Sequence, residues 1–97
     1  MTHLSFEWDS KKEASNVAKH GVSFSEAQTA FTDEFARLIP DPDHSDDEDR
    51  FILLGTSIGS RLLVIYHCVR SEDSIRIISA RRAQKQERKR NYTNRVL

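Results

Sequence analysis

The sequence predicts an α+β domain: a small antiparallel sheet in a meander, two amino-terminal helices packed on it, and a basic helix at the carboxyl end. Three observations carry this expectation. The chain has 97 residues, enough for one compact domain over 1–97 and too few for two of ordinary size. Its first third holds two capped segments of helical period, and its second half holds three β-rich runs. The links between those runs are too short for crossover helices, so antiparallel pairing is the economical topology.

The elements follow in order. Thr2 to Trp8 alternates, with Leu4, Phe6 and Trp8 on one parity, and reads as a short strand. Asp9 or Ser10 opens a helix. Ser10 and Glu13 have the spacing of a capping box, and Gly21 ends the helix after His20 as a left-handed residue. Ala14, Val17 and Ala18 give this helix a narrow apolar stripe. A second helix starts at Val22 and Ser23, with Ser23 and Glu26 as another capping box and Phe24, Ala27, Ala30 and Phe31 as its apolar face. The pair does not suit a base-reading helix-turn-helix, because neither helix carries a row of Arg, Asn or Gln. Phe35 to Ile39 reads as a strand stopped by Pro40. Asp41 to Asp49 holds five aspartates and one glutamate, and is expected to be a solvated loop. Phe51–Ser57, Arg61–Val69 and Ser74–Ser79 are the meander strands, with turns at Ile58-Gly59-Ser60 and Ser71–Asp73. Ala80 to Asn94 reads as the last helix. Seven of the 17 residues from Arg81 onward are basic, and few apolar side chains are there to hold it.

Composition excludes several classes. No apolar run approaches the ~18 residues of a transmembrane span, so no membrane partner is expected. No basic-then-apolar leader is read at the amino terminus. The single cysteine, Cys68, forbids an intrachain disulfide and fits a reducing cytoplasm. Four scattered histidines and one cysteine have no metal-ligand spacing, so neither metal nor other cofactor is expected. The formal net charge is zero, but residues 1–49 hold 4 basic and 12 acidic side chains, and residues 50–97 hold 11 basic and 3 acidic. Folding either mixes these charges over the surface or gathers a cationic face for a polyanion.

Phe6-Glu7-Trp8-Asp9, Asn16, Lys19-His20-Gly21-Val22-Ser23-Phe24, Glu26-Ala27, Phe31, Arg50-Phe51, Gly55, Ile75 through Ala83, Glu87-Arg88 and Tyr92 together resemble the BrnT family of bacterial toxins. The likeness spans nearly the whole chain. It implies a fold similar to RelE-type toxins, cleavage of RNA, growth arrest and neutralisation by a small cognate antitoxin of the BrnA kind. DNA would be reached only indirectly, through that antitoxin.

RNA is cleaved without a metal when its 2′-OH attacks the neighbouring phosphorus. A base removes the 2′ proton, an acid protonates the departing 5′ oxygen, and cations stabilise the phosphorane. His20, at a helix end beside Lys19, is the leading acid/base candidate; the alternative is a histidine that caps the helix. Arg61 opens the long strand and reaches a cleft at its end. Arg76 interrupts a run of isoleucines and needs either phosphate or a carboxylate partner, Glu7 or Asp9. Arg81 and Arg82 are expected at the strand-to-helix junction, where backbone amides assist anion binding. His20, Lys19, Arg61, Arg76 and Arg81 form the expected catalytic set, and Arg82, Lys85, Arg88, Lys89, Arg90 and Tyr92 the expected RNA contacts. His67 is a rival titratable group or a core histidine. Glu87, six positions past Arg81, is expected to give that guanidinium poor support and to orient Lys19 or His20 instead. A non-catalytic module that binds nucleic acid or an antitoxin through the basic terminal helix is the competing reading.

Overall fold

The computed structural model describes residues 4–44 and 49–88. Five strands form one sheet: β1 (Ser5–Glu7), β2 (Arg37–Pro40), β3 (Arg50–Thr56), β4 (Leu62–Ser71) and β5 (Ser74–Arg82), in the spatial order β1-β5-β4-β3-β2. From β2 to β5 the pairing is antiparallel, as a meander requires. β1 corrects the expected topology. It pairs parallel with β5, setting Phe6 opposite Ile75 and Glu7 opposite Arg76, so the sheet is mixed. A parallel neighbour needs a long connection, and everything from residue 8 to residue 73 supplies it.

After β1 come helix α1 (Ser10–His20), helix α2 (Phe24–Thr29) and a 3₁₀ turn at Ala30–Thr32. Asp9 caps α1, accepting from the amides of Lys11 (2.8 Å) and Lys12 (3.1 Å). Those two bonds hold its carboxyl below the usual range. Glu13 does not complete the expected box. Its Oε2 crosses to α2 and accepts from the amides of Phe24 (2.9 Å) and Ser25 (3.3 Å), beside the cap made by Ser23. Gly21, at φ +70°, ends α1 and donates its amide to the Val17 carbonyl at 2.8 Å.

The core lies between the segment from Val22 through α2 to the 3₁₀ turn and one face of the sheet. Val22, Phe24, Ala27 and Ala30 meet Leu53, Leu63, Ile65, Ile77 and Ala80, with Phe6, Trp8, Phe31 and Ala36 at the margin. Gly55 lets the 3₁₀ turn approach β3, since a Cβ there would sit 2.9 Å from the Ala30 carbonyl oxygen. The paired residues Ile52–Tyr66 and Leu54–Val64 alternate onto the opposite face.

Two further expectations need correction. β5 continues to Arg82 because the register Leu63–Arg82 and Val64–Arg81, with Ala83 donating to the Leu62 carbonyl, keeps it paired. The last helix therefore starts at residue 85; it is described as far as 88, and Lys89, Arg90 and Tyr92 lie outside the described residues. The acidic segment is not wholly solvated either. Asp41 is 1% exposed. Its carboxylate accepts from the Asp43 amide (3.0 Å) and faces His44 Nδ1 at 3.2 Å and Arg50 Nε at 3.4 Å. The Arg50 guanidinium makes that burial tolerable. Among the described residues, no helix is long and apolar enough to cross a membrane.

Candidate active site

β1 covers only Ser74–Arg76 of its side of β5. Farther along, α1 takes over that edge through one side chain. Asn16 Nδ2 donates to the carbonyls of Val22 and Ala80, both at 2.8 Å, and Asn16 Oδ1 accepts from the Ala80 amide at 3.1 Å. The carboxamide thus meets both backbone groups of Ala80, as a strand residue would. It is the one buried side chain of α1, while Ala14, Val17 and Ala18, the expected stripe, face water.

Held in this way, α1 and β5 enclose a groove of about 330 Å³. Lys11, Lys12, Ser15, Asn16, Lys19 and His20 line it from the helix, and Ile78 and Ser79 from the strand. The β4–β5 register passes from Tyr66–Ser79 to His67–Ile77, leaving Ile78 as an extra residue on β5. Such a bulge re-aims the strand locally. His20 is half-buried and Lys19 exposed.

Arg61 reaches the same end of α1. Its Nη2 donates to the Gly21 carbonyl at 3.0 Å, one residue beyond His20. Its Nε donates to Glu26 Oε2 at 2.9 Å, and Nη2 also donates to Glu26 Oε1. Ser57 Oγ donates to the same carboxylate at 2.7 Å. The Arg61 guanidinium, foremost, holds the Glu26 carboxyl below its ordinary range, and Glu26 raises Arg61 in return. Arg61 here is a clamp on the turn behind His20. A second groove of about 210 Å³ adjoins it, lined by Ser60, Arg61, Leu62, Arg82 and Arg88.

The other expected residues lie elsewhere. Arg76 and Arg81 are on the face away from the helices, in register with Cys68 and Val64. Arg76 Nη1 donates to Glu7 Oε2 at 2.8 Å, the partner that cross-strand pairing provides. Arg81 donates from both terminal nitrogens to Glu87, each at 2.9 Å, and Glu87 foremost, then Tyr66, raises its affinity for its proton. This corrects the reading of Glu87. Arg81 sits on a strand, so helical spacing does not separate the two, and a bidentate pair forms instead of an orienting contact to Lys19 or His20. His67 takes the alternative position, that of a core histidine. It is 1% exposed, edge-on to Phe31 and stacked with Phe51, and burial lowers its pKa. Arg82, Lys85 and Arg88 are exposed at the start of the last helix.

Pairing divides the described cations into two groups. Arg50, Arg61, Arg76 and Arg81 each face a carboxylate. Lys11, Lys12 and Lys19, like Arg37, Arg70, Arg82, Lys85 and Arg88, have no described carboxylate within ion-pair distance. The groove that holds His20 is therefore rich in positive charge, with the Asp9 carboxylate near Lys12 at its far end. Sequence reasoning missed Asn16, Lys11 and Lys12 as parts of it. A polar residue amid the short apolar positions of α1 was the available signal for Asn16.

The sequence model of one family, described as the ribonuclease toxin BrnT of type II toxin–antitoxin systems, matches residues 8–87. Among solved structures, the chain is similar in fold to the ribonuclease toxin BrnT of Brucella abortus, with 22% identity, a TM-score of 0.64, and coverage of 88% of this chain and 100% of that one. No curated protein matches.

Proposed function

The chain belongs to the BrnT family of ribonuclease toxins of type II toxin–antitoxin systems, and from that premise we propose that it is a metal-independent endoribonuclease acting through the 2′-OH of its substrate. The observation that carries the reading is the α1–β5 groove, where His20 and Lys19 stand together with Lys11 and Lys12. His20 shuttles the proton, since imidazole titrates nearest neutrality. Lys19 stabilises the charge that develops on the phosphorane. Arg61 acts by holding the Gly21 carbonyl, and with it the turn that carries His20. Arg76 and Arg81 contact phosphate on the open face by exchanging Glu7 and Glu87 for it. Arg82, Lys85 and Arg88 follow the RNA backbone without reading bases, and Lys89, Arg90 and Tyr92 extend that contact.

The same reading places the protein in the cytoplasm beside a BrnA-like antitoxin that covers the cationic groove, suppresses turnover and brings the pair to DNA. Loss of translatable RNA then arrests growth, in the manner of RelE-type toxins. The test is cleavage of RNA in excess EDTA by the wild type and His20→Ala. Products with 2′,3′-cyclic phosphate and 5′-OH ends, lost with His20, are expected. Undiminished cleavage by the variant removes His20 from the chemistry, and a strict need for magnesium removes the mechanism. One observation favours the competing, non-catalytic reading: the arginines at 61, 76 and 81 already hold carboxylates. Salt-sensitive RNA binding with no new ends formed would establish it.

A further inference from the structure

The groove does not end at His20. It continues along α1 to Lys11 and Lys12, at the opposite end of the helix. From Lys12 to His20 is about 12 Å of helix at ~1.5 Å per residue. That exceeds three times the ~3.4 Å rise per nucleotide of one strand in B-form. The far end of the groove therefore lies beyond the nucleotide being cleaved. Both lysines are exposed and in no described ion pair, with Asp9 the nearby carboxylate that feels the charge of Lys12. Asn16 forms no ligand site of its own there, because its amide is engaged by Val22 and Ala80.

We infer that Lys11 and Lys12 form a phosphate subsite for the flanking, single-stranded part of an RNA whose scissile step lies at His20. The inference rests on the ribonuclease reading of the groove and extends it to the substrate. A single strand is chosen because basic grooves of this kind track the backbone of one strand without reading its bases. Recognition there is of the backbone. The groove has no Phe, Tyr or Trp on which a base could stack, His20 is assigned to the scissile step, and the groove's one aliphatic side chain is Ile78. Ser15 adds a hydroxyl between the lysines and His20, able to donate to a phosphate oxygen.

The test is the salt dependence of binding to a 12-nucleotide 2′-O-methyl RNA, which lacks the attacking hydroxyl and stays intact. Each phosphate contact on a single strand contributes about 0.7 to the slope of log affinity against log salt. Lys11→Gln with Lys12→Gln should therefore reduce the slope by about 1.4. At 0.1 M salt this is a loss of about 25-fold in affinity, equal for two unrelated sequences. Glutamine keeps helix propensity, so folding is preserved. Arg70→Gln, an exposed cation on β4 outside both grooves, serves as control and should leave the slope unchanged. An unchanged slope in the lysine variant leaves these residues to a protein partner and overturns the inference, as does an equal fall in the control. Neither result bears on whether His20→Ala loses cleavage in EDTA, so the subsite and the catalytic reading fail separately.

Discussion

Asn16 does with three hydrogen bonds what a sixth strand would do with a row of them. Truncation to alanine would leave the Val22 and Ala80 carbonyls and the Ala80 amide unpaired next to the core. We expect Asn16→Ala to lower stability by about 3 kcal/mol, measured as a shift of the urea midpoint. His67 gives a second prediction. Its folded pKa is lowered by burial, so the unfolded chain takes up a proton near the ordinary value of 6.5 while the folded chain does not. Stability is thus intact above that value and falls as pH drops below it, down to the depressed folded value. His67→Leu should reduce the difference in unfolding free energy between pH 7.5 and pH 5. At this scale the sequence marked His20, Lys19 and Arg61; the first two line the α1–β5 groove, and Arg61 binds the Gly21 carbonyl that follows His20. It did not separate chemically identical arginines into paired and unpaired, because ion pairing depends on partners distant in sequence, such as Glu7 for Arg76.

The helices are legible from their punctuation and less so from their faces. Asp9, Ser23 and Gly21 stand where capping rules place them. The buried face of α1 was not readable from apolar periodicity, since its one buried residue is polar. The crossed cap from Glu13 to α2 was hidden too, because an S-x-x-E spacing has the same appearance whether the glutamate turns back or reaches forward. Glu13→Ala should therefore loosen α2 rather than α1. The expected loss is about 1 kcal/mol, with raised hydrogen exchange at the amides of Phe24 and Ser25. Gly55→Ala should cost about 2 kcal/mol in a urea titration, because the Ala30 backbone must move to admit the methyl group.

For the molecule as a whole, one core joins α2 and the sheet, and Asn16 ties α1 to it, so a single unfolding transition is expected, with tryptophan fluorescence from Trp8 and far-ultraviolet dichroism coincident. The meander could be read because its partners are neighbours in sequence. β1 could not, since nothing local states that a strand at residue 5 will lie beside residue 74 in parallel. That pairing also governs when the groove can form. Ribosomes release the chain from its amino end, and domains tend to fold as units once their parts are available. Here the first strand finds its neighbour, and Asn16 its two hydrogen-bonding groups on Ala80, only after residues 74–82 have emerged. β5 is one wall of the groove, so a nascent chain halted short of it carries His20 without that wall.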